Sequence, residues 1–336
     1  MTAPGPRILR APNHLGDLVA ALPALLEANV DVMVRAELAP LLSLTELEGQ
    51  VLPLVRDWSG WWDARARLRA GAYRSAALMT PAFSAAWLFR AAGIRHLRGS
   101  ATDGRSWMLT ERIPPTALRG PHRIEQYRLL AGVDTANPTV PAELSLPDER
   151  VERWRSELRS VEAPLVGFFP GANAPARRWP ADRFAEVVAW AESRGLRCVV
   201  LGSGAESVVV KEVVRDTSSA IDLSGKTDLV DLATVLACCD VLVTNDTGPM
   251  HLAGIVHTPT VSLWGPSDPG EVRPTGSIDH PVEGPSLPCR PCYRNQCPRT
   301  GRGTRLEHAH EECMRIIETQ SVIQALDRAL GGGATA

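Results

Sequence analysis

Four loops in the second half of the chain carry residue types suited to holding a phosphorylated ligand. They read Pro170-Gly171-Ala172-Asn173, Gly202-Ser203-Gly204-Ala205-Glu206, Asn245-Asp246-Thr247-Gly248 and Gly265-Pro266-Ser267-Asp268. Their small residues let backbone N–H groups approach a ligand closely, and three of the four run into predicted helices whose positive ends favour an anion. At Thr247-Gly248 a hydroxyl, backbone donors and a helix start can converge on a diphosphate; the alternative is that Asp246-Thr247 only caps the helix. His251, on the first turn beyond, either donates to the same phosphates or fixes the loop. Arg177 and Arg178, ahead of Trp179-Pro180, are either a solvated pair or a pair that neutralises a departing phosphate through charge-assisted hydrogen bonds. Glu206 is placed like the acid that accepts ribose hydroxyls in dinucleotide folds, at a different spacing, and its loop lacks the Gly-Lys-Ser/Thr of a Walker A motif. Near the start of the chain, Asn13-His14-Leu15-Gly16-Asp17 follows a predicted strand. Asp17 is either a helix cap or a general base that takes the proton of a hydroxyl as its oxygen attacks an activated carbon.

The elements that must position these residues are short apolar runs alternating with helical patterns, the arrangement that builds parallel sheets through βαβ crossovers. The first series predicts strands over 8–11, 30–34, 51–55 and 76–79, with a helix whose Leu18, Leu22, Leu25 and Leu26 share a face. The proline-bearing stretch Asn137 to Pro164, with a charged helical segment from Asp148 to Arg159, reads as an interdomain connection. The second series predicts strands over 165–169, 196–201, 241–244 and 260–264 and helices from Pro180, over 206–214, 229–238 and 250–256. In an open parallel sheet ligands bind beyond the carboxyl ends of the strands, where the four loops fall.

At 336 residues the chain suggests two domains, placed at 1–150 and 151–336. Its formal charge of −2 offers no overall basic field for nucleic acid. Asp17 and Pro23 interrupt the first apolar stretch, and prolines and glycines break the run from Thr247 to Ser267, so neither a secretory leader nor a membrane helix is expected, and a cytoplasmic protein is. Between Arg90 and Arg128 eight arginines face only Asp103, Glu111 and Glu125, which suits either an acidic acceptor at a membrane surface or ordinary solvated helix faces. Cys198, Cys238 and Cys239 lie in apolar runs and read as core. Cys289, Cys292, Cys297 and Cys313 have the number and part of the spacing of a structural zinc site, with reduced unligated thiols as the alternative.

Taken together, N-H-L-G-D, P-G-A with A-R-R-W-P, and N-D-T-G-P-M-H-L-A followed by T-P-T-V-S-L-W-G-P-S-D-P resemble glycosyltransferase family 9, nearest its heptosyltransferase II branch. The resemblance implies an α/β, GT-B fold: two Rossmann-like domains facing a cleft, the acceptor on the N-terminal one and a nucleotide sugar on the C-terminal one. It implies inverting transfer of a sugar, most simply heptose from ADP-heptose, to a lipopolysaccharide-core-like or other glycan acceptor, with no cofactor or catalytic metal. Carried over, Asp17 matches the catalytic acid and Arg177 a basic residue that is commonly Lys. Glu206 matches the nucleoside-binding acid, and Asp246, Thr247, Gly248 and His251 match the donor loop, with Arg178 beside them. The expected partners are the nucleotide-sugar donor and a glycolipid acceptor, with peripheral contact at the inner face of a membrane. A nucleotide-sugar 2-epimerase of related fold and a catalytically inactive sugar-nucleotide-binding regulator are the competing readings.

Overall fold

Both halves of the chain solve one problem in the same way, burying strands on two faces beneath helices. The computed structural model describes residues 6–136, 139, 141–159, 162–297 and 312–331. The chain divides into two units, Met1–Ser145 and Leu146–Ala336.

In the first unit the order is β1 (Arg7–Arg10), α1 (Leu15–Ala28), β2 (Asp31–Arg35), α2 (Ala39–Leu42), β3 (Val51–Leu54), α3 (Trp58–Ala70), β4 (Ser75–Leu78), α4 (Phe83–Ala91), β5 (His96–Ser100), β6 (Glu111–Ile113) and α5 (Arg123–Ala131). The strands form a parallel sheet in the order β3-β2-β1-β4-β5-β6, with Ile8 beside Asp31 on one side and Ala76 on the other. α1 buries Leu18, Leu22 and Leu25 and ends at Asn29, whose left-handed backbone suits an asparagine. Its Pro23 is accommodated within the helix.

The second unit runs α6 (Asp148–Leu158), β7 (Leu165–Phe169), α7 (Ala181–Ser193), β8 (Arg197–Val200), α8 (Ser207–Val214), β9 (Ile221–Asp222), α9 (Leu229–Cys238), β10 (Val241–Asn245), α10 (Gly248–Ile255), β11 (Thr260–Trp264), α11 (Pro269–Val272), β12 (Asp279–Glu283), α12 (Glu312–Arg315) and α13 (Thr319–Ala329). Its parallel sheet reads β12-β11-β10-β7-β8-β9, the first unit's order seen from the other edge. β7, β10 and β11 are buried along their whole length, as continuous apolar runs must be in a sheet covered on both faces. α7 lays Phe184, Val187, Val188 and Ala191 into that core, and truncating Phe184 to Ala would cost about 3–5 kcal/mol. In each unit the strand order reverses between two central strands, β1 and β4 in the first and β7 and β10 in the second. Such a switch point splays the following loops apart and opens a crevice.

The helix from Asp148 is not a connector. α6 packs on α9 in the second unit: Trp154 Nε1 donates to Asp231 Oδ1 at 3.0 Å, and Arg150 and Arg153 reach the same carboxylate. β5, β6, β9, β12 and α13 had no counterpart in the sequence reading. The four strands are short or carry charged residues, and their pairing, more than their composition, makes them strands.

Candidate functional site

In the second unit, the loops after β7 and β10 flank the switch point and are sewn together by one buried amide. Asn245, the last residue of β10, donates from Nδ2 to the Pro170 carbonyl at 2.8 Å, and its Oδ1 accepts the Trp179 backbone N–H at 3.1 Å. Trp179 is itself buried, donating from Nε1 to the Ile317 carbonyl at 3.1 Å and meeting Phe184 edge to face at 5.1 Å. The Arg177-Arg178 segment is thus anchored at its end: Arg178 Nε donates to the Ala172 carbonyl at 2.8 Å, and Ala176 N–H to the Asn295 carbonyl at 3.1 Å.

Arg177 projects from that scaffold to place Nη1 3.1 Å from Asp246 Oδ2, a carboxylate that is almost wholly buried. The contact is one of charge, not hydrogen-bond geometry, because Asp246 Oδ2 and the buried Arg177 Nε both lack a hydrogen-bond partner. A buried N–H left unmade costs about 1–3 kcal/mol, which an incoming oxyanion would recover. Beside it, Thr247 is the N-cap of α10 but its side chain makes no capping bond. The capping alternative for Thr247 therefore fails, and the first turn of α10 keeps its positive end uncovered by a side chain. Gly248 opens the helix and His251 sits half-buried on its first turn.

Glu206 closes the opposite side. Its Oε2 accepts from the Ser203 N–H at 2.9 Å and hydroxyl at 2.8 Å, a reciprocal capping box that fixes the loop after β8. A Cβ on Gly171 would fall 1.9 Å from Glu206 Oε1, so only glycine lets this carboxylate lie against the loop after β7. The fourth loop is tied down at one end, since Asp268 caps α11 through the Gly270 N–H at 2.7 Å, while the Ser267 hydroxyl is buried without a partner. The structure thus gathers Arg177, Asp246, Thr247 and Gly248 around one switch point and sets Glu206 on the neighbouring strand's loop.

In the first unit the loop after β1 is equally well fixed. Arg10 donates from Nη2 to Asn13 Oδ1 at 2.6 Å, Asn13 Nδ2 donates to the Thr80 hydroxyl at 3.0 Å beyond β4, and Arg35 Nη1 donates to the Asn13 carbonyl at 3.1 Å. Burial, with the like charge of Arg35, pushes the Arg10 guanidinium down to about 10, still charged at neutral pH. His14, not Asp17, is the N-cap of α1. Asp17 lies inside the first turn, and its carboxylate faces α5: Arg123 Nη1 is 3.7 Å away and the Tyr127 phenol hydrogen-bonds to it. Burial, then the Asp17 charge, push the Tyr127 phenol well above its ordinary range, so it stays a proton donor. Asp17 is therefore held and half-exposed, and the cap alternative is excluded. Tyr127, Arg123 and Asn245 are the residues that sequence reasoning left without a role. Asn245 stood inside a quoted motif, whereas nothing near Asp17 in sequence points to α5.

Several of the arginines between Arg90 and Arg128 are internal bolts and not acceptor contacts. Arg105 is buried on the Thr80 carbonyl at 2.6 Å and the Ser100 hydroxyl at 3.0 Å, Arg128 on Glu27 and Glu125 at 3.0 Å each, and Arg98 and Arg90 on main-chain carbonyls. The four late cysteines are free thiols, and among the described residues no group of three or more His, Cys, Asp or Glu side chains is arranged to hold a metal. Cys289 is exposed whereas Cys313 is buried beneath Gly265, and burial pushes its thiol up to about 11. Cys198, Cys238 and Cys239 are buried in the second unit. No helix among the described residues is long and apolar enough to cross a membrane.

Comparison with known proteins identifies one family and one fold. The profile described as glycosyltransferase family 9 (heptosyltransferase) matches residues 61–301. Lipopolysaccharide heptosyltransferase 2 of Salmonella typhimurium is 30% identical over 268 residues, covering 74% of this chain and 77% of the relative. Among solved structures, Escherichia coli ADP-heptose lipopolysaccharide heptosyltransferase II superposes with a TM-score of 0.78 at 24% identity, covering 97% of this chain and 98% of that one. A glycosyltransferase family 9 structure from Veillonella parvula superposes at 0.80 with 20% identity, covering 99% of each chain.

Proposed function

The chain belongs to glycosyltransferase family 9, with the GT-B fold class of its structural relatives, and from that premise we propose that it transfers a heptose from ADP-heptose to a lipopolysaccharide-core acceptor. In this reading residues 1–150 serve the acceptor and 151–336 the nucleotide sugar. The observation that carries it is the second unit's switch point, where the Arg177 guanidinium has a buried donor without a partner and lies beside the uncapped start of α10. The diphosphate sits there, its charge met by Arg177, Arg178, the backbone and hydroxyl of Thr247-Gly248, and His251. Glu206 takes the nucleoside end. Asp246 holds Arg177 in place and is not itself a phosphate contact, since two negative groups would repel.

Asp17 removes the proton from the acceptor hydroxyl as that oxygen bonds to the anomeric carbon. The bond from that carbon to the diphosphate breaks on the opposite side, giving inversion through an oxocarbenium-like state, and ADP leaves with the electron pair. Arg177 and its neighbours stabilise the charge developing on the leaving oxygen, each such contact worth about 3–4 kcal/mol in the transition state, so no metal ion is needed for that task. The protein works at the inner face of the membrane that carries its acceptor.

The test is transfer by the purified chain from ADP-heptose to a heptose-deficient lipopolysaccharide core, with and without EDTA. Turnover that requires the acceptor and resists EDTA is expected. Conversion of the sugar nucleotide without acceptor would support an epimerase instead, and binding of ADP-heptose without any turnover would support a regulator.

A further inference from the structure

The outer surface of α3 and α4 carries large aromatic side chains that the fold does not bury. Trp58 is 76% exposed, Trp62 46% and Trp87 49%, and Trp107, in the tight turn Ser106–Met108 against α4, is 65% exposed. Trp58 and Trp62 are one helical turn apart on α3, as Phe83 and Trp87 are on α4. The two helices pack side by side, with Arg65 Nε of α3 donating to the Ala91 carbonyl at the end of α4 at 2.9 Å. Both turn one side, Ala64 and Leu68 of α3 with Trp61 alongside and Ala86 and Phe89 of α4, onto one core cluster, so Trp58 and Trp62 of α3 and Phe83 and Trp87 of α4 lie on the sides away from it. Trp58, Trp61 and Trp62 brace one another, with ring centroids 4.8–6.4 Å apart, and Arg65 lies 5.4 Å over Trp62. Such bracing holds the rings outward. Within residues 56–107 the exposed charges are Arg56, Arg67, Arg69, Arg74 and Arg95 against Asp57, Asp63 and Asp103, with no lysine or glutamate, since Arg90, Arg98 and Arg105 are spent on internal carbonyls.

We propose that the outer face of α3 and α4, with Trp58, Trp62, Phe83, Trp87 and the adjoining Trp107, docks the protein on the headgroup layer of an anionic lipid bilayer. Indoles with an apolar body and one polar N–H favour that layer, and the surplus of exposed arginine over aspartate adds attraction to anionic headgroups. The same positive surplus on two copies would repel, which disfavours self-association through this face. The surface deepens the reading given above by supplying a seat for the membrane that carries the acceptor, yet its test does not depend on transfer.

The full chain is to be sedimented, with no donor present, with vesicles of phosphatidylethanolamine and phosphatidylglycerol and with vesicles of phosphatidylcholine. Binding to the anionic vesicles that weakens with salt is expected, with a blue shift of tryptophan emission. W58S/W62S should lower that binding about tenfold or more and R56E/R69E several-fold, while ADP binding and transfer to a delipidated core oligosaccharide stay unchanged. Failure of the wild-type chain to bind anionic vesicles, or equal binding by both double variants, overturns the proposal. So does a blue shift produced by the core oligosaccharide and not by vesicles, which would make the face a glycan platform. If vesicle binding holds and transfer fails, the docking surface stands and the catalytic reading falls.

Discussion

The two switch points are built on the same strand order and end in opposite chemistry. In the first unit, the loops after β1 and β4 are tied by bonds among Arg10, Asn13, Arg35 and Thr80, although Arg35 Nε is itself buried without a partner, and the nearby carboxylate of Asp17 meets Arg123 and Tyr127. In the second, Asn245 stitches the loops after β7 and β10, the Arg177–Asp246 pair joins them again, and Arg177 Nε, Asp246 Oδ2 and the Ser267 hydroxyl are buried without hydrogen-bond partners beside the uncapped start of α10. On the proposed reading, one topology thus presents a proton acceptor in one unit and an anion cradle in the other. The difference lies in which polar groups each loop spends on holding itself together.

The comparison breaks most sharply at Asp17. Asp17→Asn should reduce turnover by about 10²–10⁴-fold, the range for a lost general base, with ADP still raising the melting temperature as in the wild type. If most turnover survives, the carboxylate is structural. Next comes Arg177→Ala, for which a drop in kcat of about 10²–10³-fold is expected, partly restored by Arg177→Lys; an effect confined to KM would show that the side chain only binds. Removing the stitch should act on both fold and cradle: Asn245→Ala leaves the Pro170 carbonyl and Trp179 N–H without partners and should cost about 2–3 kcal/mol in urea unfolding, with weaker ADP binding in calorimetry. Tyr127→Phe removes the phenol from Asp17, and steady-state kinetics should show kcat lowered about tenfold with donor KM unmoved, since the carboxylate loses its orientation and nothing in the second unit changes.

The smallest effect belongs to a carboxylate remote from either switch point. Asp228 caps α9, accepting the Asp231 N–H at 2.7 Å, and is paired with Arg150. Burial alone would raise its pKa, but those bonds outweigh it and hold the group below the ordinary carboxylate value. Its folded form is therefore favoured when ionised: the contribution is present above the ordinary carboxylate pKa and is lost as pH falls through the depressed folded value. Asp228→Ala should cost about 1 kcal/mol at neutral pH, the usual worth of an N-cap, with the difference from wild type vanishing in acid.

The alternation of buried runs and amphipathic helices was legible because period and composition are local properties. β7, β11 and α9 fall at their expected residues, and α7 follows its Pro180 start and precedes the left-handed Gly195. β9 and β12 were not legible, because two residues, or five with a proline and two acids, become strands only by pairing with a neighbour already in place. α6 misled for a related reason: its charged residues look solvated, yet Arg150 and Arg153 are spent on Asp228 and Asp231 some 78 positions away.

The sequence by itself determined the alternation that makes parallel sheets, the small-residue loops beyond the strands, and the motif residues that mark the family. Which of those residues are free to act was decided only by tertiary structure. Whether an arginine is a bolt, like Arg105, or holds an uncommitted donor, like Arg177, depends on which carbonyls and carboxylates the fold brings within about 3 Å, the span of a hydrogen bond. Those partners, Tyr127 for Asp17 and Pro170 for Asn245, come from distant parts of the chain, and a local pattern carries no information about them.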